Sequence, residues 1–270
     1  MEGTTTQARG VAKQRMEGTT KKLATLVGCN YAGTPYELHG CINDVLAACD
    51  TLVARFGFAP GGISLLTDDH RRRLPTGANI KRALADMVSR AAPGDVLFFH
   101  FSGHGTLIPR RRGHDEAIVP YGEFRRLVDR VPQGATFTMV SDSCHSGGLI
   151  AQEEQIGPNV PVPDLTTRFL PYPAVVGHLS GASGIDTPTP RPDGGILLSG
   201  CQADETSAEV TWRKGKNKCG AFGAFSSAVQ AVLAAHPAPV SNRELVNRAR
   251  EMLSNQGLCE CNVIKIVVRV

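Results

Sequence analysis

Phe137-Thr138-Met139-Val140-Ser141-Asp142-Ser143-Cys144-His145-Ser146-Gly147-Gly148 decides the reading of this chain. An apolar, β-rich run from Phe137 to Val140 stops abruptly in small and polar residues, and Cys144 stands just past its end. Val96-Leu97-Phe98-Phe99-His100-Phe101 has the same design and is followed by Ser102, Gly103, His104 and Gly105. Short continuous apolar runs are the mark of strands buried on both faces, as in a parallel sheet. In such sheets ligands and chemistry gather at the carboxyl ends of the strands. One strand end therefore offers a thiol and another an imidazole. If the two strands are neighbours, Cys144 and His104 meet across a cleft, which is the minimum apparatus for a thiolate nucleophile with a histidine partner.

A lone cysteine is most often a small buried hydrophobe, and this chain has eight. What raises Cys144 and His104 above the rest is that each follows a buried-strand signature and each is flanked by glycine. Gly103, Gly105, Gly147 and Gly148 allow close approach of backbone to substrate. Their N–H groups can be aimed at a developing oxyanion.

The segments Phe101-Ser102-Gly103-His104-Gly105 and Asp142 to Gly148 resemble the catalytic signature of the metacaspases, the caspase-like peptidases of plants, fungi and protists. Gly195 to Ala208 and Cys219 to Gln230 are similar to the plant type II group, and the resemblance extends from about Leu23 to Leu258. It implies a caspase-like three-layer α/β/α sandwich with a mostly parallel central sheet. It also implies a cysteine endopeptidase that cuts after arginine or lysine with a Cys144–His104 dyad. Positions matching Asp44 and Asp142 are the acidic residues that line the pocket for the basic side chain, and Cys41 and Ser102 are implied as pocket walls.

The residues outside the signature fit that class. Apolar residues make up 41% of the 270, enough for a large core, and the net charge of +4 is mild and spread out. Nothing in it argues for nucleic acid, and no run approaches membrane-span length. The amino terminus lacks the apolar segment of a secretory signal, so the cysteines read as reduced thiols. The expected location is the cytoplasm, with nuclear or extracellular pools open, and the expected state is a monomer.

Taken in order, residues 1–20 read as a disordered leader and residues 21–149 as the large catalytic region. Within it come a strand at Leu23–Cys29, a helix from Gly40 to about Phe56 and a strand at Ile63–Leu66. Asp68 to Arg73 reads as a solvated loop. Thr76 caps a helix at about 79–91, the arginine run Arg110–Arg112 reads as an exposed loop, and Glu123–Val131 as a helix. Asp44 sits in the first turn of its helix, where the helix dipole alone would favour a carboxylate. On a strand, the spacing of Asp142 and Cys144 would put both on one face.

Residues 150–194 hold eight of the 17 prolines and no apolar periodicity, which predicts a mobile, exposed linker. It contains two basic residues, Arg168 and Arg191. The resemblance implies self-cleavage in this linker, with Arg168 the first choice and Arg191 the second. Residues 195–270 read as a smaller region completing the same sheet. It opens with a strand at Ile196–Ser199. A basic turn at Trp212–Lys218 and a helix at Ala221–Ala235 follow. The last helix is capped by Ser241 and Glu244, and a strand-like tail closes the chain.

The chain departs from the family in one stretch and in its tail. After Asp115-Glu116-Ala117-Ile118-Val119-Pro120, family members carry an aspartate-rich stretch before the next helix. Here Tyr121 to Phe124 joins the two directly. That stretch belongs to the region that binds calcium in calcium-dependent members, so no calcium site of that kind, and no cofactor, is expected. These departures leave two alternatives open: an inactive homologue that acts by binding, and a thiol redox sensor built on Cys144.

Overall fold

The computed structural model describes residues 20–109, 114–118, 130–144, 166–167, 195–200, 208–214, 217–255 and 265–268. Its strands, in chain order, are β1 (Lys22–Gly28), β2 (Ile63–Thr67), β3 (Val96–Ser102), β4 (Gly105–Pro109), β5 (His114–Ile118) and β6 (Thr136–Asp142), followed by β7 (Thr166–Thr167), β8 (Ile196–Ser199), β9 (Ala208–Lys214), β10 (Asn217–Gly223) and β11 (Lys265–Val268). The described helices are α1 (Cys41–Ala54), α2 (Gly77–Ser89), α3 (Ala224–Ala235) and α4 (Asn242–Asn255). The expected leader and the expected helix at 123–131 lie outside the described residues, apart from residue 20 and the turn at 130–131.

Six strands form the central sheet in the order β11-β8-β6-β3-β1-β2. The five from β8 to β2 are mutually parallel, and β11 pairs antiparallel with β8 at the edge. Alternation along each strand sorts the core into two layers. Leu97, Phe99 and Phe101 of β3, with Phe137 and Met139 of β6, pack against Ile80, Ala83, Leu84 and Met87 of α2. The intervening positions face the other way: Ala24 and Leu26 meet Val45 and Leu52 of α1, while Val140 and Leu198 meet α3 and α4. Phe99 and Phe101 are completely buried, and each such side chain contributes roughly 1.5–3 kcal/mol relative to exposure. This is the expected three-layer sandwich.

Two hairpins stand outside the central sheet. Gly105–Pro109 and His114–Ile118, for which the sequence predicted no element, are β4 paired antiparallel with β5, and the expected loop at residues 110–112 lies outside the described residues. The expected basic turn and the start of the following helix are β9 paired with β10, so α3 begins at Ala224 rather than Ala221. The physical reason is that Ala221, Phe222 and Gly223 pair with Thr211, Val210 and Glu209 of β9, with Gly220 at φ +124 where the register shifts. Asp68 to Arg73 is not simply solvated either. The Asp68 carboxylate binds main-chain amides (described below), and the Thr67 N–H donates to the Arg73 carbonyl at 3.3 Å.

Candidate active site

β3 and β6 are adjacent, with Ser102 opposite Asp142 in the register. Beyond their ends the two chains stay together. The Gly103 N–H donates to the Asp142 carbonyl at 3.3 Å. A Cβ placed on Gly105 would lie 1.8 Å from the Cys144 carbonyl oxygen, so the main chain at Cys144 lies directly against the residue that follows His104. Cys144 itself lies two residues past the end of β6, in a turn. Strand alternation therefore does not fix its direction relative to Asp142, contrary to the sequence argument. The packing on Gly105 fixes its place instead. Both Cys144 and His104 are buried.

His104 is gripped by the loop between β1 and α1. Its Nε2 lies 2.7 Å from the Tyr36 carbonyl oxygen. A carbonyl only accepts, so this bond puts the ring proton on Nε2 and leaves Nδ1 as the basic nitrogen. The His104 main-chain N–H donates to the Tyr31 hydroxyl at 3.0 Å. The two rings pack with centroids 4.7 Å apart and planes tilted by 41°. The sequence offered no orienting partner for His104, and none could be read, because the partner at residue 36 is a main-chain oxygen.

The two carboxylates expected to bind a basic side chain gather at the amino end of α3. Asp44 Oδ2 accepts the Ser102 hydroxyl at 2.6 Å, and the Gly223 N–H reaches Oδ1 at 2.9 Å and Oδ2 at 3.1 Å. Asp142 Oδ2 accepts the Ser226 N–H at 2.9 Å. Both acids are almost wholly buried. The amino end of a helix stabilises negative charge there. The Ser226 hydroxyl lies 3.3 Å from His100 Nε2. A cavity of about 190 Å³ opens beside Asp44, lined also by Ala47, Phe222, Ser226, Ser227 and Gln230. Asp142, Ser102 and Cys41 do not line it. Ser102 acts on Asp44, and Cys41 is fully buried, with its carbonyl oxygen 2.6 Å from a Cβ built on Gly28.

No motif or spacing pointed to Glu209, a buried acid on β9. Its carboxylate accepts the N–H groups of His39 at 2.9 Å and Gly40 at 2.7 Å, holding the entry to α1 and thereby Asp44. Cys29, at the end of β1, has its thiol pushed well above the ordinary 9.0. Burial is the largest cause and the nearby Asp68 and Cys41 add to it, partly offset by a hydrogen bond from Tyr31. It is held as an inert thiol.

Arg168 and Arg191 lie outside the described residues, but β7 ends at Thr167 and pairs antiparallel with β9, Thr166 opposite Glu209 and Thr167 opposite Ala208. Among the described residues, no group of three or more histidine, cysteine or acidic side chains is arranged to hold a metal ion, and no helix is long and apolar enough to cross a membrane.

Residues 22–152 match the family description "Metacaspase, peptidase C14 domain". Metacaspase-9 of Arabidopsis thaliana is 44% identical over an alignment of 299 residues that takes in 88% of this chain and 91% of that protein. The relative thus carries residues for which this chain has no counterpart. Metacaspase-7 of the same plant is 33% identical, covering 87% of this chain and 94% of the relative. Among solved structures, protein GSU0716 of Geobacter sulfurreducens superposes with a TM-score of 0.63 at 19% identity, covering 92% of each chain. Caspase-1 of Spodoptera frugiperda superposes with a TM-score of 0.53 at 10% identity, covering 93% of this chain and 87% of that one. These two likenesses are of fold.

Proposed function

Because this chain belongs to the metacaspases, a family of caspase-like cysteine peptidases acting on protein substrates, we propose that it cuts peptide bonds following arginine or lysine, with Cys144 as nucleophile and His104 as its proton partner. The observation that carries the reading is the packing of the Cys144 main chain on Gly105, which joins the thiol-bearing and imidazole-bearing turns. The Nε2 bond to the Tyr36 carbonyl adds a fixed tautomer.

In this reading His104 takes the thiol proton at Nδ1 and the thiolate attacks the scissile carbonyl carbon. The oxyanion draws on main-chain N–H groups of the glycine-rich turns. The imidazolium gives its proton to the leaving amine, and an acyl-enzyme remains on Cys144. His104 then takes a proton from water, the hydroxide attacks the thioester, and the acid leaves as the thiol is restored. No cofactor is required by these steps. The cavity beside Asp44 is of a size to take a basic side chain, and a buried carboxylate at its wall supplies the complementary charge. Asp142 and Ser102 are assigned to hold that pocket in shape, and Cys41 to its supporting wall.

Self-cleavage after Arg168 is part of the proposal. Thr166–Thr167 add to β9 as an extended peptide does when read by strand addition, and Arg168 is the next residue. Cys144 and His104 are both buried in the uncut chain, so the cut is proposed to precede full turnover. The expected site of action is the cytoplasm, as a monomer.

A fluorogenic peptide ending in arginine tests this. Turnover lost in both Cys144→Ala and His104→Ala supports it. A folded, linker-cut sample with no turnover would make the chain an inactive homologue. Reversible thiol titration without turnover would make it a redox protein. Cleavage after Arg168 is read by the mass of the released fragments.

A further inference from the structure

We infer that Tyr31, locked in place by Asp68, is the positioning residue that sets the main-chain path and ring orientation of His104. The inference rests on reading His104 as the proton partner of Cys144.

Tyr31 has φ +52, a left-handed backbone that an aromatic residue adopts only under constraint. The constraint is visible. Asp68 Oδ2 accepts the Tyr31 N–H at 2.6 Å and Oδ1 accepts the Asn30 N–H at 2.9 Å. Asp68 stands just past β2, at the edge of the sheet, and the reversed backbone turns the Tyr31 ring back over the end of β3. There the hydroxyl takes the His104 N–H and the ring packs on the imidazole.

The same loop then closes on itself, the Leu38 N–H donating to the Asn30 carbonyl at 2.7 Å. That closure sets the Tyr36 carbonyl against Nε2. One loop therefore holds the histidine by its main chain, its ring face and its Nε2.

Core packing accounts for the Tyr31 ring, which is partly buried against the cluster of Leu23, Phe99 and Phe101, and for Leu38, which is buried, but not for the hydroxyl. Residues 32–37 between them are exposed. A phenylalanine at 31 would fill the same space. The hydroxyl is what meets His104, and it is packed so closely that a Cβ on Gly103 would lie 2.9 Å from it. The Asp68 carboxylate accepts the Asn30 and Tyr31 amides and so reaches the histidine through this loop.

The test uses the full chain and the arginine peptide. Tyr31→Phe keeps the ring and removes the hydroxyl. It is expected to lower kcat about tenfold with KM changed less than about twofold. Asp68→Asn, which sets a donor or a weaker acceptor against the two amides, is expected to lower kcat about threefold to tenfold. The double variant is expected to be no worse than the poorer single one, because both act through one element. In a Cys144→Ala background, imidazole nitrogen NMR is expected to show the Nε2–H tautomer for His104 and a mixture once Tyr31→Phe is added. This readout needs no turnover and also serves if a variant proves unstable under assay.

If Tyr31→Phe and Asp68→Asn keep the wild-type kcat and tautomer while His104→Ala is inactive, the positioning role is wrong and the peptidase reading stands. If the two singles lower kcat but multiply in the double variant, Asp68 does not act through Tyr31 and the inference is overturned. If His104→Ala keeps turnover, the reading beneath it fails.

Discussion

Gly105 and Cys144 are in main-chain contact: any Cβ at 105 would fall 1.8 Å from the Cys144 carbonyl oxygen. No side-chain rotation relieves a clash between main-chain atoms. Gly105→Ala must therefore push apart the turns that bear His104 and Cys144. A misplacement of about 1 Å in a catalytic group costs on the order of 100-fold in rate. Gly105→Ala is expected to lose at least about that factor in kcat/KM on an arginine peptide. Near-native far-UV circular dichroism would show that the sheet survives. Activity within a few fold of wild type would mean the turns are not held as described.

Asp44 ties Ser102 to Gly223 and, in the proposed function, also supplies the charge of the substrate pocket, and its substitutions should separate the two roles. Its carboxylate binds Gly223 N–H and the Ser102 hydroxyl, both buried. Asp44→Ala strands those groups and is expected to cost about 3 kcal/mol of stability. Asp44→Asn keeps the shape and one acceptor but loses the charge. It is expected to cost about 1 kcal/mol yet to raise KM for arginine peptides sharply. Urea unfolding in a Cys144→Ala background and steady-state kinetics read the two separately. Equal losses of binding and stability in both variants would leave Asp44 a structural cap only.

How much of this was legible beforehand follows from what leaves a trace in side-chain order. β3 and β6 were legible because strands buried on both faces are continuous apolar runs. The sulfhydryl and imidazole stood out because each ends such a run, and α2 because Thr76 precedes a 3.6-residue apolar pattern. The β4–β5 hairpin was hidden by three arginines between its strands, and β10 by small residues that pass equally well for helix. The grip on His104 was beyond reach for another reason. Every residue has a carbonyl, so Tyr36 supplies its oxygen without a mark in the sequence, and Asp68 lay in a charged run that reads as solvent-facing.

The helix caps give a cleaner energetic test. The Thr76 hydroxyl accepts the Asn79 N–H at 3.3 Å, and the Ser241 hydroxyl accepts the Glu244 N–H at 3.2 Å. Each cap replaced by alanine is expected to cost about 1 kcal/mol, and Thr76→Gly only a few tenths. α2 and α4 lie on opposite faces of the sheet and share no partner, so the Thr76→Ala and Ser241→Ala losses should add. Urea midpoints of the two single variants and the double check this. A double loss far from the sum would couple the layers through the sheet.

Alkaline pH should weaken the fold through the end of β1. Burial raises the Cys29 thiol well above 9.0 and the Tyr31 phenol well above 10.0, in each case as the largest cause. A group whose pKa is higher in the folded state holds its proton there after the unfolded chain has released it. Below about pH 9 both states are protonated and its contribution is complete. Above that, the unfolded state binds fewer protons and stability falls as pH rises through the folded values, by at most about 1.4 kcal/mol per pH unit for each group. Cys49 is raised as well, but it is partly exposed and contributes less. Urea midpoints are expected to be flat from pH 7 to 8.5 with respect to these groups, and to fall beyond pH 9. Cys29→Ala removes the first group to titrate, so its decline should begin nearer pH 10 and be shallower. An alkaline decline identical in wild type and Cys29→Ala would show that the thiol is not held protonated by the fold.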